Sequence, residues 1–125
     1  MSTLRFSPEH EWIRLDDDVA VVGITDHAQE QLGDVVFVEL PEIGTRVERG
    51  EQAAVVESVK AASEVYAPAA GEVVAVNEDL VSEPSKVNAD AMGDGWFFKM
   101  TLKEAKELDG LLDAAAYKEY LASLD

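Results

Sequence analysis

Lys60 is the residue best placed to do chemistry in this chain of 125 residues. It sits between two strand-like runs, Ala53-Ala54-Val55-Val56-Glu57-Ser58-Val59 and Ala61-Ala62-Ser63-Glu64-Val65-Tyr66, so one primary amine stands at the bend of a predicted hairpin. An amine displayed in that way can be acylated and so serve as an attachment point. A lysine in a turn is also an ordinary solvated cation, and composition alone favours that plainer reading. The flanks favour a gripped tip: Val59, Ala61 and Ala62 are small or apolar, which suits a surface held by an enzyme better than one facing only water.

Other chemistries find little support. There is no cysteine, so the polypeptide has no thiolate nucleophile, soft metal ligand or disulfide, and any sulfur redox chemistry must arrive on a cofactor. His10 and His27 are the only histidines and have no metal-ligand spacing, so no metal site is expected. No serine pairs with either histidine in a hydrolase motif. With 26 acidic against 10 basic residues, the net charge of −16 repels phosphate backbones and anionic lipids, which argues against nucleic acid and membrane partners. The same acidity either keeps the protein in solution or steers it toward basic patches on larger enzymes. No run approaches a membrane span, and neither a signal nor a transit pattern precedes the first strand-like residues, so a bacterial cytoplasm is the expected location.

The elements that must position Lys60 are mostly short strands, and the length fits one domain spanning residues 1–125. Glu11–Leu15 and Val19–Ile24 are predicted to form a hairpin across Asp16-Asp17-Asp18. Thr25 to Gly33 has a capping residue in front and a glycine behind, which predicts one short helix. Asp34–Leu40 reads as a strand, followed by turns at Pro41–Gly44 and Arg49–Glu51. Gly71–Asn77 is another strand, and residues 78–92 read as mostly loop. Trp96–Leu102 is predicted to be the strand that closes the sheet, with Trp96 in the core.

Residues 112–124 predict an amphipathic helix packed on the domain, with Asp113 as N-cap and Tyr117, Tyr120, Leu121 and Leu124 at helical spacing. A loose echo links Val35–Glu39, Gly44–Val47 and Val55-Val56 with Val65, Gly71–Val74 and the Trp96 strand. This allows two similar β halves, or equally an ordinary sandwich or barrel.

Glu57-Ser58-Val59-Lys60-Ala61 resembles the lipoylation site of the glycine cleavage system H proteins. So do Ser7–Trp12, Val22–Gln29, Leu32–Pro41 and Gly71-Glu72-Val73, ordered blocks spread over roughly 100 residues and hard to obtain by chance. The resemblance implies a lipoyl-type barrel-sandwich hybrid, mainly β, of two small antiparallel sheets with short peripheral helices and a C-terminal helix. It also implies a non-catalytic carrier with lipoic acid in amide linkage to Lys60, supplying the dithiol that the polypeptide lacks.

In that family the arm takes an aminomethyl group from a pyridoxal-phosphate glycine decarboxylase to an aminomethyltransferase, which passes the carbon to tetrahydrofolate. Dihydrolipoyl dehydrogenase then reoxidises the dithiol. By the same resemblance, Glu57 and Gly71 help a lipoylating enzyme recognise the hairpin, and Glu11, Glu64 and His10 line a cleft for the loaded arm. Each of these has a plainer alternative. The acids are equally readable as solvated surface charges, and Gly71 as a turn residue that needs positive φ.

The pattern departs at Pro84-Ser85-Lys86-Val87-Asn88-Ala89-Asp90-Ala91-Met92-Gly93, where the family has Pro-Glu-Leu-Val-Asn and then Pro-Tyr-Gly. That departure is expected to alter a loop surface involved in docking and to leave the fold alone. Biotin carriers place methionines beside their lysine, and lipoyl domains of 2-oxoacid dehydrogenases show Asp-Lys-Ala, so both are more distant. An H-like protein that relays lipoyl groups to other enzymes, or an unmodified scaffold, would use the same fold. A carrier that visits several active sites is best served by transient contacts, so a monomer is expected.

Overall fold

The computed structural model describes residues 3–16 and 18–124. Strands β1 (Thr3–Phe6), β2 (Glu11–Asp16) and β3 (Val19–Ile24) run as an antiparallel meander. The predicted β2–β3 hairpin is therefore present, although Asp17 in its turn lies outside the described residues. β1 extends the sheet beyond what the sequence pattern predicts. Helix α1 (Asp26–Leu32) follows, with the Thr25 hydroxyl accepting from the Ala28 N–H and Gly33 ending the helix at φ 78°.

Five strands come next: β4 (Val35–Glu39), β5 (Arg46–Val47), β6 (Gln52–Ser58), β7 (Ala62–Tyr66) and β8 (Gly71–Val76). After two single-turn helices, α2 (Asp79–Ser82) and α3 (Lys86–Ala89), the chain enters β9 (Phe98–Leu102). A 3₁₀ segment (Ala105–Gly110) leads to α4 (Ala114–Leu124). Among the described residues no helix is long and apolar enough to cross a membrane.

The strands form two antiparallel sheets, one ordered β1-β2-β3-β9-β8-β5 and the other β4-β6-β7. Their inward side chains share one core, in which Ile13, Val22, Val38, Val56, Val65, Val73, Phe97, Phe98 and Met100 are buried. Two sheets closing on one core make the barrel-sandwich hybrid implied by the sequence resemblance. The echoing strand triples do not stack as separate halves: β4, β6 and β7 share one sheet, while β5, β8 and β9 lie in the other.

Three expectations are corrected. β9 begins at Phe98 and lies between β3 and β8, so it joins the N-terminal meander to the rest of its sheet and does not close an edge. Trp96 precedes the strand and is only half-buried, with the Lys99 ammonium 4.9 Å from its ring centroid. Residues 78–92 are not mostly loop. α2 and α3 bury Leu80 and Val87, and the Ala91 carbonyl accepts from the indole N–H of buried Trp12 at 2.9 Å. Single helical turns are too short to show a 3.6-residue period, which is why the pattern hid them.

A second apolar cluster of Phe6, Trp12, Val21 and Tyr117 docks α4 on the outer side of the large sheet. Tyr117 stacks on Phe6 with ring centroids 4.5 Å apart, and Asp113 caps the helix by accepting from the Ala116 N–H at 2.8 Å. The expected C-terminal helix, its cap and its docking stripe are all present, although Leu124 remains exposed.

Candidate functional site

Lys60 occupies the tip between β6 and β7, whose pairing places Glu57 opposite Ala62. Ser58 builds the turn: its N–H donates to the Ala61 carbonyl at 2.8 Å, and its hydroxyl oxygen accepts from the N–H groups of Lys60 (3.2 Å) and Ala61 (3.1 Å). A hydroxyl that satisfies two turn donors holds the bend without glycine. The Val59 N–H donates to the Asp34 carbonyl at 3.0 Å, tying the tip to the segment between α1 and β4.

The Lys60 side chain lies across Gly33. A Cβ built on that glycine would come within 3.3 Å of Lys60 Cε and 3.6 Å of Cδ. Gly33 thus meets two demands, a left-handed φ and an open face under the lysine stem.

Beside the tip, an irregularity between Val35 and Phe37 sets two consecutive side chains, Val36 and Phe37, facing solvent. Val59, next to Lys60 in the chain, is 67% exposed, so the tip itself carries an exposed apolar side chain. Strands β4, β6 and β7 contribute Glu39, Glu57 and Glu64 and contain no basic residue.

A cleft of about 280 Å³ runs between α1 and the β6–β7 hairpin. His27, Ala28, Gln31 and Leu32 of α1 form one wall, Val56 and Ser63–Val65 the other, and Glu9, His10 and Glu11 close it. Leu32 immediately precedes Gly33, so the cleft reaches the end of α1 against which Lys60 lies. The three residues predicted to line a cleft, His10, Glu11 and Glu64, are therefore brought together in one.

They differ in character. Glu11 is 2% exposed, which excludes the solvated-charge alternative for this residue. Its carboxylate accepts from the Ser7 hydroxyl at 2.6 Å and from the Tyr66 N–H at 3.2 Å. Burial pushes its pKa up to about 7; those two donors oppose the rise and the nearby Glu9 charge adds to it. Glu64 is exposed at the rim and accepts from the Tyr66 hydroxyl at 2.7 Å.

His10 is held at φ 70°, with Nδ1 2.8 Å from the Tyr117 hydroxyl and its ring 4.6 Å from that of His27. Burial, and secondarily the charge of His27, lowers its pKa. The Tyr117 hydroxyl also lies 2.8 Å from Oγ1 of Thr25, the residue that caps α1.

Glu57 is exposed on β6 three residues before Lys60. Gly71 is elsewhere: it begins β8 in the other sheet, paired with Val47 and Leu102. Its φ lies outside the left-handed region, which corrects the turn alternative. What demands glycine there is close approach, since a Cβ would overlap the Thr101 carbonyl oxygen.

The segment 84–93 is partly helical and partly buried, with Ser85, Ala89 and Asp90 still exposed. Val87 and Ala91 are buried, and Asn88 reaches the Gly33 end of α1 with Nδ2 donating to the Gly33 carbonyl at 2.8 Å. Tyr117, Ser7, His27 and Asn88 are site neighbours that motif reading did not assign. The matching blocks Ser7–Trp12 and Val22–Gln29 hinted at two of them by containing Ser7 and His27.

The sequence and fold have known relatives. The family model described as "Glycine cleavage H-protein" matches residues 4–124. The glycine cleavage system H protein of Parvibaculum lavamentivorans is 61% identical over 124 residues, 99% of both chains. That of Rhodospirillum rubrum is 61% identical over 126 residues, the whole of both. The crystal structure of a glycine cleavage system H protein from Mycobacterium marinum superposes with a TM-score of 0.86 at 37% identity, covering 97% of this chain and 95% of that one. With the family model matching residues 4–124 and curated relatives 61% identical over essentially their whole length, the chain belongs to the glycine cleavage H-protein family.

Proposed function

We propose that this chain is the lipoyl carrier of a glycine cleavage system, with lipoic acid joined in amide linkage to Lys60 Nζ. One observation supports this above the others: an exposed lysine on a rigid hairpin tip lies at one end of an acid-lined cleft, in a chain without a thiol of its own. The residues present fit the group. The tip is open to a modifying enzyme, Lys60 makes no ion pair among the described residues, and the cleft lies within reach of an arm that starts at Lys60 beside Gly33. When attached, the lipoyl group supplies a disulfide that accepts the aminomethyl carbon and then carries two electrons.

The chain's own residues shelter the amine at the end of the arm. Ser7 and the Tyr66 N–H hold Glu11 so that it can accept from an ammonium, and the desolvated wall around Glu11 excludes water. Glu64 contributes a second acceptor at the rim, and His10, oriented by Tyr117, closes the far end. Glu57 is an exposed feature for the lipoylating enzyme to read. Gly71 acts at one remove, by letting β8 approach β9 beyond the Ala67–Ala70 segment that leaves β7. The partners are the pyridoxal-phosphate glycine decarboxylase, the aminomethyltransferase, dihydrolipoyl dehydrogenase and the lipoylating enzyme, each engaged transiently by a monomer.

The direct test is peptide mass spectrometry of protein from lipoate-replete cells. A single lipoyl amide located on Lys60, and absent in Lys60→Arg, is the expected result. An unmodified Lys60 would overturn the carrier reading in favour of an interaction scaffold.

A further inference from the structure

Among the described residues, Asn88 is the side chain whose hydrogen bonds join α1 and the start of β4 to α3. Its Oδ1 accepts from the Val35 N–H at 2.8 Å, while Nδ2 donates to the Gly33 carbonyl at 2.8 Å and to Gln29 Oε1 at 2.9 Å. Both amide hydrogens and an oxygen lone pair are therefore engaged, and three bonds from one planar group fix the path of Gly33-Asp34-Val35. That same tripeptide holds the tip through two contacts. The Asp34 carbonyl accepts from the Val59 N–H at 3.0 Å, and the open face of Gly33 supports the Lys60 stem. Among the described residues the Asn88 side chain has no hydrogen bond to Lys60 or to the cleft lining, so its hydrogen bonds act on the tip through the tripeptide.

The connection needs a rigid base, and α3 provides one. Val87 is fully buried beside Asn88, and the Asp90 N–H bonds to the Lys86 carbonyl at 3.0 Å, so the turn bearing Asn88 is anchored in the core. The Ala91 carbonyl that follows holds the Trp12 indole.

We infer that Asn88 is a positioning residue for the lysine-bearing tip, acting through residues 33–35 to set where Lys60 stands relative to the cleft and to an incoming modifying enzyme. The structural part of this inference stands on the hydrogen bonds alone. Its consequence for modification rests on the attachment of a lipoyl group to Lys60.

The test is hydrogen exchange by NMR on the full chain, paired with modification by a lipoate–protein ligase supplied with lipoate and ATP. In Asn88→Ala, the Val59 amide should exchange about tenfold faster than in the unaltered protein, while Val73, whose N–H donates to Thr45 in the other sheet, should change little. Asn88→Asp keeps the acceptor for Val35 but turns a carboxylate toward two oxygens, so it should loosen Val59 as Asn88→Ala does. The initial rate of lipoylation should fall severalfold in both. Lys86→Ala, on the same turn but outside the network, should leave the rate unchanged.

Equal protection of Val59 in Asn88→Ala and the unaltered protein would overturn the inference. Should Asn88→Ala fail to fold, the unaltered protein still decides. An exposed, fast-exchanging Val59 amide, with no nuclear Overhauser contact between Lys60 Hε and Gly33 Hα, would equally overturn it. If the ligase leaves the unaltered protein unmodified, the attachment reading falls, whereas the positioning of the tip is still decided by exchange.

Discussion

The hydroxyl of Tyr117 lies 2.8 Å from Nδ1 of His10, joining α4 to the wall of the cleft across 107 residues of sequence. The same hydroxyl meets Thr25 Oγ1, which already accepts from the Ala28 N–H, so the C-terminal helix, the cap of α1 and the cleft share one polar chain. Tyr117→Phe keeps the stacking on Phe6 and removes only the hydroxyl. It should cost about 1–2 kcal/mol in urea unfolding, because two partners lose a hydrogen bond in a largely buried setting. It should also free the His10 ring to turn, changing the chemical shifts of its ring nitrogens. Unaltered His10 nitrogen shifts would break the link between helix and cleft.

Glu11 makes folding stability depend on pH in an unusual direction for a carboxylate. Its folded pKa is raised from 4.5 to about 7, so between those values the folded chain binds more protons than the unfolded one and stability falls as pH rises. A shift of that size corresponds to about 3 kcal/mol across the window. His10 opposes it. A lowered folded pKa makes the unfolded chain the better proton binder below 6.5, a contribution that rises with pH. The net loss should therefore be smaller than Glu11 alone would give. Glu11→Gln should flatten the profile, so that urea unfolding of the variant at pH 5 and pH 8 differs by far less than in the parent. A parent profile already flat from pH 4.5 to 7 would contradict the burial argument.

The scaffold was legible where the signal is local. Alternation and turn residues located the β6–β7 hairpin around Lys60, and Thr25 and Gly33 bracketed α1, because each depends on neighbours a few residues away. The state of Glu11 was not legible, since its burial requires Tyr66, 55 residues on, to fold over it. Asn88 and Tyr117 escaped for the same reason: Asn88 reads as one polar residue in a polar stretch, and Tyr117 as one more member of an apolar stripe. The acid-lined cleft was anticipated only through family resemblance, because nothing in the spacing of His10, Glu11 and Glu64 makes them converge.

Glu57 and Gly71 were paired by the sequence as recognition features, and their surroundings predict opposite behaviour. Glu57→Gln changes an exposed side chain with no hydrogen bond among the described residues. Its stability should stay within the spread of ordinary surface substitutions, about 0.5 kcal/mol, while modification by the ligase slows. Gly71→Ala must push β8 away from the Thr101 carbonyl, with Met100 Cε only 2.9 Å from the new methyl. It should lose about 3 kcal/mol or more with no enzyme present. Thermal unfolding of the two variants separates the roles, and a Gly71→Ala protein as stable as its parent would restore Gly71 to direct recognition.

Gly33→Ala tests whether the open face under Lys60 matters beyond the left-handed backbone. The φ of 78° alone makes alanine unfavourable by about 1–2 kcal/mol. The added methyl would also stand 3.3 Å from Lys60 Cε, displacing the stem from the end of the cleft. At φ 78° and ψ −154°, a region open essentially to glycine alone, asparagine is strained as alanine is, so Gly33→Ala and Gly33→Asn should lose similar stability. Displacement of the stem predicts a further effect, slower modification in both variants at a temperature where each remains folded. Modification of the folded variants at the parental rate would show that the open face under Lys60 has no part in it.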